Sequence, residues 1–380
     1  MLTATGGTLM TVASPASSRI RPFTADDIPA VADLHRKVFG LATELSPELL
    51  ESYRVYFTGV YLANPCQELD GGSLVYEEGN GRITGFLAMA ARRMLFNGRP
   101  IRARITSQFV VEPKSRGMAG FQLLKSALAG DQDITIADES NSDSRMLWEG
   151  LGGVTSHLYS MRWIYPLRPC QFGLRLLGRK RILPGFATGA SMPLARALDG
   201  LAGRIMNRLS GRPAPALSAQ PLTCETLLAC LKDAGKKQPV RVDHDARSLD
   251  WLLTRAESLR SNGQLQKALL RTDKQEIAGW YLYYVNPAGF SEVIQIHARP
   301  DLAPAVLSHL FEDARAKGVT ALTGRMQPAM TQAFSQAHCL FHCGPQWVLA
   351  HSRKPELQHA FDRGNIGFSR LDGEWCLHFR

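Results

Sequence analysis

Residues Val110–Gly120 read "VVEPKSRGMAG". The apolar run Phe109-Val110-Val111 stops at Glu112-Pro113, where proline removes the N–H that a continuing strand would donate. Lys114 and Arg116 add positive charge, and Gly117, Ala119 and Gly120 leave the backbone thinly covered. Phe121, Leu123, Leu124 and Leu128 then recur at helical spacing. The pattern is strand, turn and helix, with cations and small residues at the helix start. Such a start presents unpaired N–H groups and the positive end of the helix dipole, which suits a phosphate. It also fits an ordinary β-to-α turn, so its neighbours decide its meaning.

Working outward, "RIRPF" (Arg19–Phe23) predicts a strand, and Thr24 with Asp27 forms a capping box ahead of Ile28, Val31, Leu34, His35 and Val38 at helical spacing. "SPELLESYRVYF" predicts a second helix, with Ser46 as N-cap and Pro47 in the first turn. "SLVYEE" and "RITGFLAMAARRMLF" flank the turn "GNG", and Asn97-Gly98 marks another hairpin before "IRARITSQFVV". After the opening stretch come a strand, "DITIAD", a glycine-terminated helix, "NSDSRMLWEGLGG", and a closing strand, "HLYSMRWIYPL".

The second half repeats this order. "CETLLACLKDA" and "RSLDWLLTRAESL" predict helices, "KALLRTDKQEIAGWYLYYV" a hairpin, and "SEVIQIHA" a strand. The helix "APAVLSHLFEDARAKG", the strand "VTALTGRM", helical "MTQAFSQAHCLF" and the strand "QWVLAHS" complete it. Ile277-Ala278-Gly279-Trp280-Tyr281 echoes Ile83-Thr84-Gly85-Phe86-Leu87, the mark of an internal duplication.

This order, with "VVEPKSRG" and "ADESNSDSRMLWEGLGG", resembles the GNAT acetyltransferase family over residues 18–165 and more faintly over 223–353. The resemblance implies an α/β fold built on mixed sheets: two GNAT-like domains in tandem, the second degenerate. The implied organisation is a disordered leader at 1–17, a GNAT domain at 18–168, a basic linker with an amphipathic helix at 169–222, and a second GNAT-like domain at 223–380. It also implies acetyl-CoA as co-substrate. The pantetheine arm would pair with the strand end Phe109, Val110 and Val111, and the pyrophosphate would lie on Arg116, Gly117, Met118, Ala119 and Gly120, with Asn141 beyond. Counting the family's phosphate loop from Arg116 puts Ala119 at its glycine and Phe121 at its last small position. Counting from Lys114 uses Gly117 and Ala119 instead and keeps the bulky Phe121 away from phosphate, which favours the second register.

The chemistry implied is attack of a neutral amine on the acetyl thioester, a small amine or amino-sugar type being the expected acceptor. Glu112, Asp138 and Glu139 are candidate bases. Where the family often has a tyrosine acid, this chain has Trp148, whose indole N–H is no useful acid, so Tyr159 is the substitute. Gly153 stands where a phenylalanine is usual. The second half carries "HARPDLAPAVL" at the loop position. Its two prolines, its acid and its lack of glycine predict no coenzyme A site there, and a role in shaping the acceptor cleft.

Composition sets the remaining bounds. The 380-residue chain is 45% hydrophobic and 21% charged, as expected of a soluble protein of two domains. Seven cysteines without CxxC pairs argue against a disulfide framework or zinc ribbon and for a reducing, cytoplasmic setting. The net charge of +10 concentrates between Pro166 and Arg212, where Arg168, Arg175, Arg179, Lys180, Arg181, Arg196, Arg204, Arg208 and Arg212 face one acid, Asp199. With leucines interleaved, this stretch reads as a solvated interdomain linker or as a weak membrane-surface contact, which would suit a non-catalytic scaffold. It lacks the interleaved aromatics of a nucleic-acid surface. "HCLFHC" (His338–Cys343) reads as core cysteines or a metal site, and metal is not expected. "LDGEWCLHFR" reads as a tail strand in which Asp372 and Glu374 could line a site for a cation.

Overall fold

The computed structural model describes residues 18–41, 44–66, 72–179, 190–200, 216–286, 289–344 and 346–379. The leader at 1–17 and the basic-stretch residues 180–189 and 201–215 lie outside the described residues. The chain divides into two compact units. The first comprises Met1–Leu62, Gly72–Met89 and Gln108–Gly130, the second Ala63–Gly71, Ala90–Ser107 and Asp131–Arg380.

In the first unit, β1 (Arg19–Pro22) pairs antiparallel with β2 (Leu74–Glu77), which pairs with the start of β3 (Ile83–Phe96). The expected capping box forms: the Thr24 N–H donates to Asp27 Oδ2 at 2.9 Å, and Arg21 grips the same carboxylate at 2.7 Å. Ser46 accepts from the Leu49 N–H at 3.2 Å to open the helix Pro47–Phe57. That helix and Ile28–Phe39 bury Val31, Tyr53 and Phe57, with Phe57 edge-on to Phe86 of β3 at 5.5 Å. The end of β4 (Arg99–Val111) leads into the helix Arg116–Leu128, whose inner face buries Ala119, Leu123, Leu124 and Leu128.

The second unit holds the rest of β3 and β4. They are joined by Asn97-Gly98, whose φ values of 49° and 79° are those of a tight hairpin turn. It continues with β5 (Ile134–Ser140), β6 (Val154–Thr155), β7 (Met161–Pro166), β8 (Ser218–Pro221), β9 (Val240–Val242), β10 (Gln264–Arg271), β11 (Ile277–Val285), β12 (Ser291–Ala298), β13 (Ala321–Arg325), β14 (Leu340–Cys343), β15 (Trp347–His351) and β16 (Ile366–Gly367). β4 runs parallel to β5, and β15 lies antiparallel between β5 and β6. A second mixed sheet has the order β14-β7-β13-β12-β11-β10-β8, parallel only between β12 and β13. The helix Ala303–Ala316 packs on one face around Leu310 and Phe334. Leu227 and Leu249, from the helices Cys224–Gly235 and Ala246–Ser258, belong to a separate core with Trp280 and Leu282 of β11.

The closing strands are exchanged. β7, expected to close the first half, inserts between β13 and β14 of the second sheet. β15, expected to close the second half, sits beside β5 and β6. The reason is local packing. Trp163 of β7 is fully buried, stacks on Phe334 at 4.7 Å, and lies over Gly324, where an added Cβ would come within 3.0 Å of the indole.

Other differences are smaller. "HLYSMRWIYPL" begins with a helical turn, His157–Ser160, before β7. The helix expected through "MTQAFSQAHCLF" ends at Gln336, because His338 turns left-handed at φ 57° and β14 follows. The tail "LDGEWCLHFR" forms a 3₁₀ turn over Glu374–Leu377 and no strand. β8, β9, β16 and the helix Pro355–Asp362 had no counterpart in the sequence reading. Within the basic stretch, Asp199 caps the helix Pro169–Arg179, accepting from the N–H groups of Cys170 and Gln171 at 2.8 and 3.0 Å. No described helix is long and apolar enough to cross a membrane.

Candidate functional site

The opening stretch folds as strand, turn and helix. β4 ends at Val111, the Glu112 N–H donates to Thr84 O at 2.9 Å, and Pro113–Ser115 make a 3₁₀ turn. The helix then starts at Arg116 with Ser115 at the N-cap, and no side chain caps it. Lys114, Arg116, Gly117 and Met118 are exposed on this turn. A Cβ at Gly117 would meet nothing within 4 Å, so neighbouring side chains do not explain its lack of a side chain. At Gly120 a Cβ would reach the Phe109 ring at 3.6 Å and Val111 at 3.8 Å, an ordinary packing distance. Ala119 points into the core, and Phe121 stands 39% exposed one turn along. A cleft of about 580 Å³ beside the helix start is lined by Tyr76, Glu78, Asn80, Ser115, Met118 and Ala119 among others. Glu112 sits half-buried with Arg82 at 3.0 Å. The turn therefore has the exposed cations, open glycine and free helix end that a pyrophosphate requires.

Just before this, β4 carries a kink that the sequence reading did not single out. Gln108 is left-handed, with φ 47°, inside an otherwise extended strand. The available signal was the polar run Thr106-Ser107-Gln108 within an apolar strand. On the second unit's side, the β4–β5 ladder runs only from Ala103↔Ile134 to Ile105↔Ile136.

Beyond that ladder, β5 delivers Asp138 and Glu139 into a buried network of ions. Asp138 Oδ2 meets Arg325 at 2.5 Å, and its Oδ1 accepts the Glu374 N–H at 2.6 Å. Arg370 bridges Glu139 and Glu292, and Arg162 adds a second contact to Glu292 at 2.6 Å. Glu139 also faces His378 at 3.3 Å. Burial works against the Arg370 charge, but Glu292, Glu139 and Asp138 more than offset it and raise its pKa. Burial pushes the Glu374 carboxyl upward despite the neighbouring His378. Both candidate bases on β5 are thus committed to arginines. Arg162, Glu292, Arg325 and Arg370 lie far apart in sequence, so no motif announced them.

The remaining candidates have structural partners. Asn141 is an N-cap, its side chain accepting from the Ser144 N–H at 2.8 Å. Tyr159 donates to the carbonyls of Ile366 and Gly364 at 2.5 and 3.1 Å, and burial raises its pKa. Trp148 is 2% exposed, and a Cβ at Gly153 would fall 2.9 Å from its carbonyl oxygen, which explains the glycine there. In "HCLFHC", Cys339 is buried and its thiol is pushed up to about 12, while Cys343 is exposed. Among the described residues no group of three or more His, Cys, Asp or Glu could hold a metal ion.

No family model matches the sequence, and no curated protein does. Solved structures do match. A GCN5-related N-acetyltransferase from Anabaena variabilis aligns with TM-score 0.56 at 12% identity, over 88% of this chain and 72% of that one. A conserved protein from Enterococcus faecalis, described as a probable N-acyltransferase, aligns with TM-score 0.55 at 11% identity, over 88% and 73%. N-myristoyltransferase from Saccharomyces cerevisiae, solved with bound myristoyl-CoA and inhibitors, aligns with TM-score 0.51 at 10% identity, over 96% and 88%. The mixed sheets of this chain have the fold of the GCN5-related N-acetyltransferases.

Proposed function

We propose that the protein is an N-acyltransferase that moves an acetyl group from acetyl-CoA to a primary amine of small-amine or amino-sugar type. The observation that carries this reading is the uncapped helix start at Arg116, with open Gly117 and exposed Lys114, directly after β4 in a chain of this fold. Coenzyme A supplies the activated thioester. Arg116 and Lys114 hold its phosphates, and the N–H groups of the first helical turn bind the same oxygens. The strand end Phe109–Val111 offers backbone partners to the pantetheine arm. Glu112, in the same unit as this turn, takes the ammonium proton through water, while Asp138 and Glu139 stay paired with Arg325 and Arg370. The Tyr159 hydroxyl is bonded to backbone carbonyls, so the thiolate leaves without a phenol acid, as its pKa of about 8.5 permits. The second domain, 223–380, binds no coenzyme A.

Binding stabilises the folded state, so acetyl-CoA should raise Tm, by an amount that grows with the logarithm of its concentration once that exceeds Kd. An absent shift at high ligand would sink the reading. Amines are then screened by thiol release, with acyl-CoA donors of several chain lengths. A second reading, a binding protein without turnover, is favoured by the buried Trp148 where an acid is usual. It predicts a thermal shift with no thiol release from any amine.

A further inference from the structure

A left-handed residue inside a β-strand needs an explanation. Gln108 has φ 47°, and non-glycine residues with positive φ are uncommon and strained, so they persist only where the surroundings impose them. The surroundings here are specific. His35, on the helix Ile28–Phe39, points its Nε2 at Gln108 Oε1 at 2.6 Å. Its Nδ1 lies 2.9 Å from the hydroxyl of Tyr53, on the helix Pro47–Phe57. A glutamine carbonyl only accepts, so Nε2 carries the proton and Nδ1 accepts from Tyr53. Burial pushes the Tyr53 hydroxyl up to about 12, so it remains a donor at neutral pH. His35, Tyr53 and Gln108 are all buried, and the imidazole is wedged between the Phe39 ring at 4.6 Å and the Tyr53 ring at 5.5 Å. The two helices thus hold one strand residue through one imidazole.

We propose that His35 is a positioning residue, oriented by Tyr53, that holds Gln108 in its left-handed conformation. In doing so it sets the direction in which Phe109–Val111 present their backbone to the acyl-CoA. This rests on the acyltransferase reading for its ligand, but the hold on Gln108 stands on geometry alone. A second observation marks the kink as a place where a ligand acts. The Ser107 hydroxyl, immediately before it, is buried and has no hydrogen-bond partner among the described residues, a state that is unfavourable unless something else satisfies it.

The test uses full-length wild type, His35→Phe, Gln108→Gly and the double variant. Phenylalanine keeps the ring volume without the hydrogen bonds, and glycine accepts positive φ without help. Crystal structures or backbone NMR couplings report φ at residue 108. Kinetics with acetyl-CoA and the best amine report kcat and KM separately. In His35→Phe, Gln108 should leave the left-handed region and kcat/KM for acetyl-CoA should fall, on the order of 10- to 100-fold for a displacement of this kind. The double variant should restore both the kink and most of the activity, which a loss of core packing would not allow. A left-handed Gln108 with unchanged kinetics in His35→Phe overturns the proposal, and so does a double variant no better than the single one. If wild type neither binds nor uses acyl-CoA while φ still follows His35, the acyltransferase reading falls and the hold on Gln108 stands.

Discussion

Asp138 Oδ2 lies 2.5 Å from Arg325 Nη2, and neither side chain is more than 7% exposed. Each charge is out of water and relies on the other, so removing one leaves the other uncompensated. Arg325→Ala should cost about 3–5 kcal/mol, measured by urea unfolding. Asp138 is confined by Gly373 as well: a Cβ at Gly373 would fall 2.1 Å from its Oδ2. Gly373→Ala should therefore displace the carboxylate and lose stability by about 1–3 kcal/mol.

Gly117 separates binding from folding. Its Cβ position is open, and it lies in the first turn of a helix. Gly117→Ala should keep or raise the ligand-free Tm, since alanine is favoured over glycine in a helix by up to about 1 kcal/mol. In the proposed acyl-CoA site the same methyl would stand where a pyrophosphate approaches, so the acetyl-CoA thermal shift should shrink. Arg116→Ala should weaken acetyl-CoA by about 10- to 100-fold, the worth of a charge-assisted hydrogen bond, measured by titration calorimetry.

His297 makes stability pH-dependent. Burial, helped by Lys237, lowers its pKa to about 4, and its ring stacks on Trp280 at 4.3 Å. The unfolded imidazole titrates near 6.5. Between these values the unfolded chain holds the proton and the folded chain does not. Stability should be full above pH 6.5 and fall as pH drops toward 4, by about 3 kcal/mol at most. His297→Phe keeps the stack and should flatten this part of the urea-midpoint curve.

Asp372 acts at lower pH. Burial raises its pKa, but bonds from His244, at 2.8 Å, and from the Ser369 hydroxyl and N–H outweigh it and leave the pKa lowered. Its contribution is present above the unfolded value near 3.9 and is lost as pH falls through the folded value. Asp372→Asn should be less stable at neutral pH, and the gap from wild type should narrow in acid.

The two echoing glycines test the duplication. A Cβ at Gly85 would lie 2.8 Å from Leu123, on the helix after β4, and one at Gly279 would lie 3.0 Å from Val306, on the helix after β12. Each sits where a strand touches the helix of its own half. Gly85→Ala and Gly279→Ala should each destabilise, the second more because its Cβ also meets the His297 carbonyl oxygen at 2.3 Å. Differential unfolding of the two variants measures this.

Local structure was legible where chemistry is local. The Thr24–Asp27 box, the Ser46 cap, the Asn97-Gly98 turn and the helix start at Arg116 are written in neighbouring residues. Strand partnership is not. β7 and β15 read as apolar strands at the end of each half, and nothing in their alternation says which sheet receives them. The same limit hid the site's supports. Arg325 and Arg370 meet Asp138 and Glu139 across long stretches of chain, and His35 reaches Gln108 from another element. A pairwise contact between distant residues leaves no trace in a single sequence.

The exchange of β7 and β15 also bears on how the chain is made. Synthesis delivers β5 long before β15, since Thr135 and its partner His351 are separated by roughly 200 residues. Until then β5 lacks its neighbour, and β7 must wait for β13 and β14. On the ribosome, then, β5 keeps an exposed strand edge until residues 347–351 have emerged.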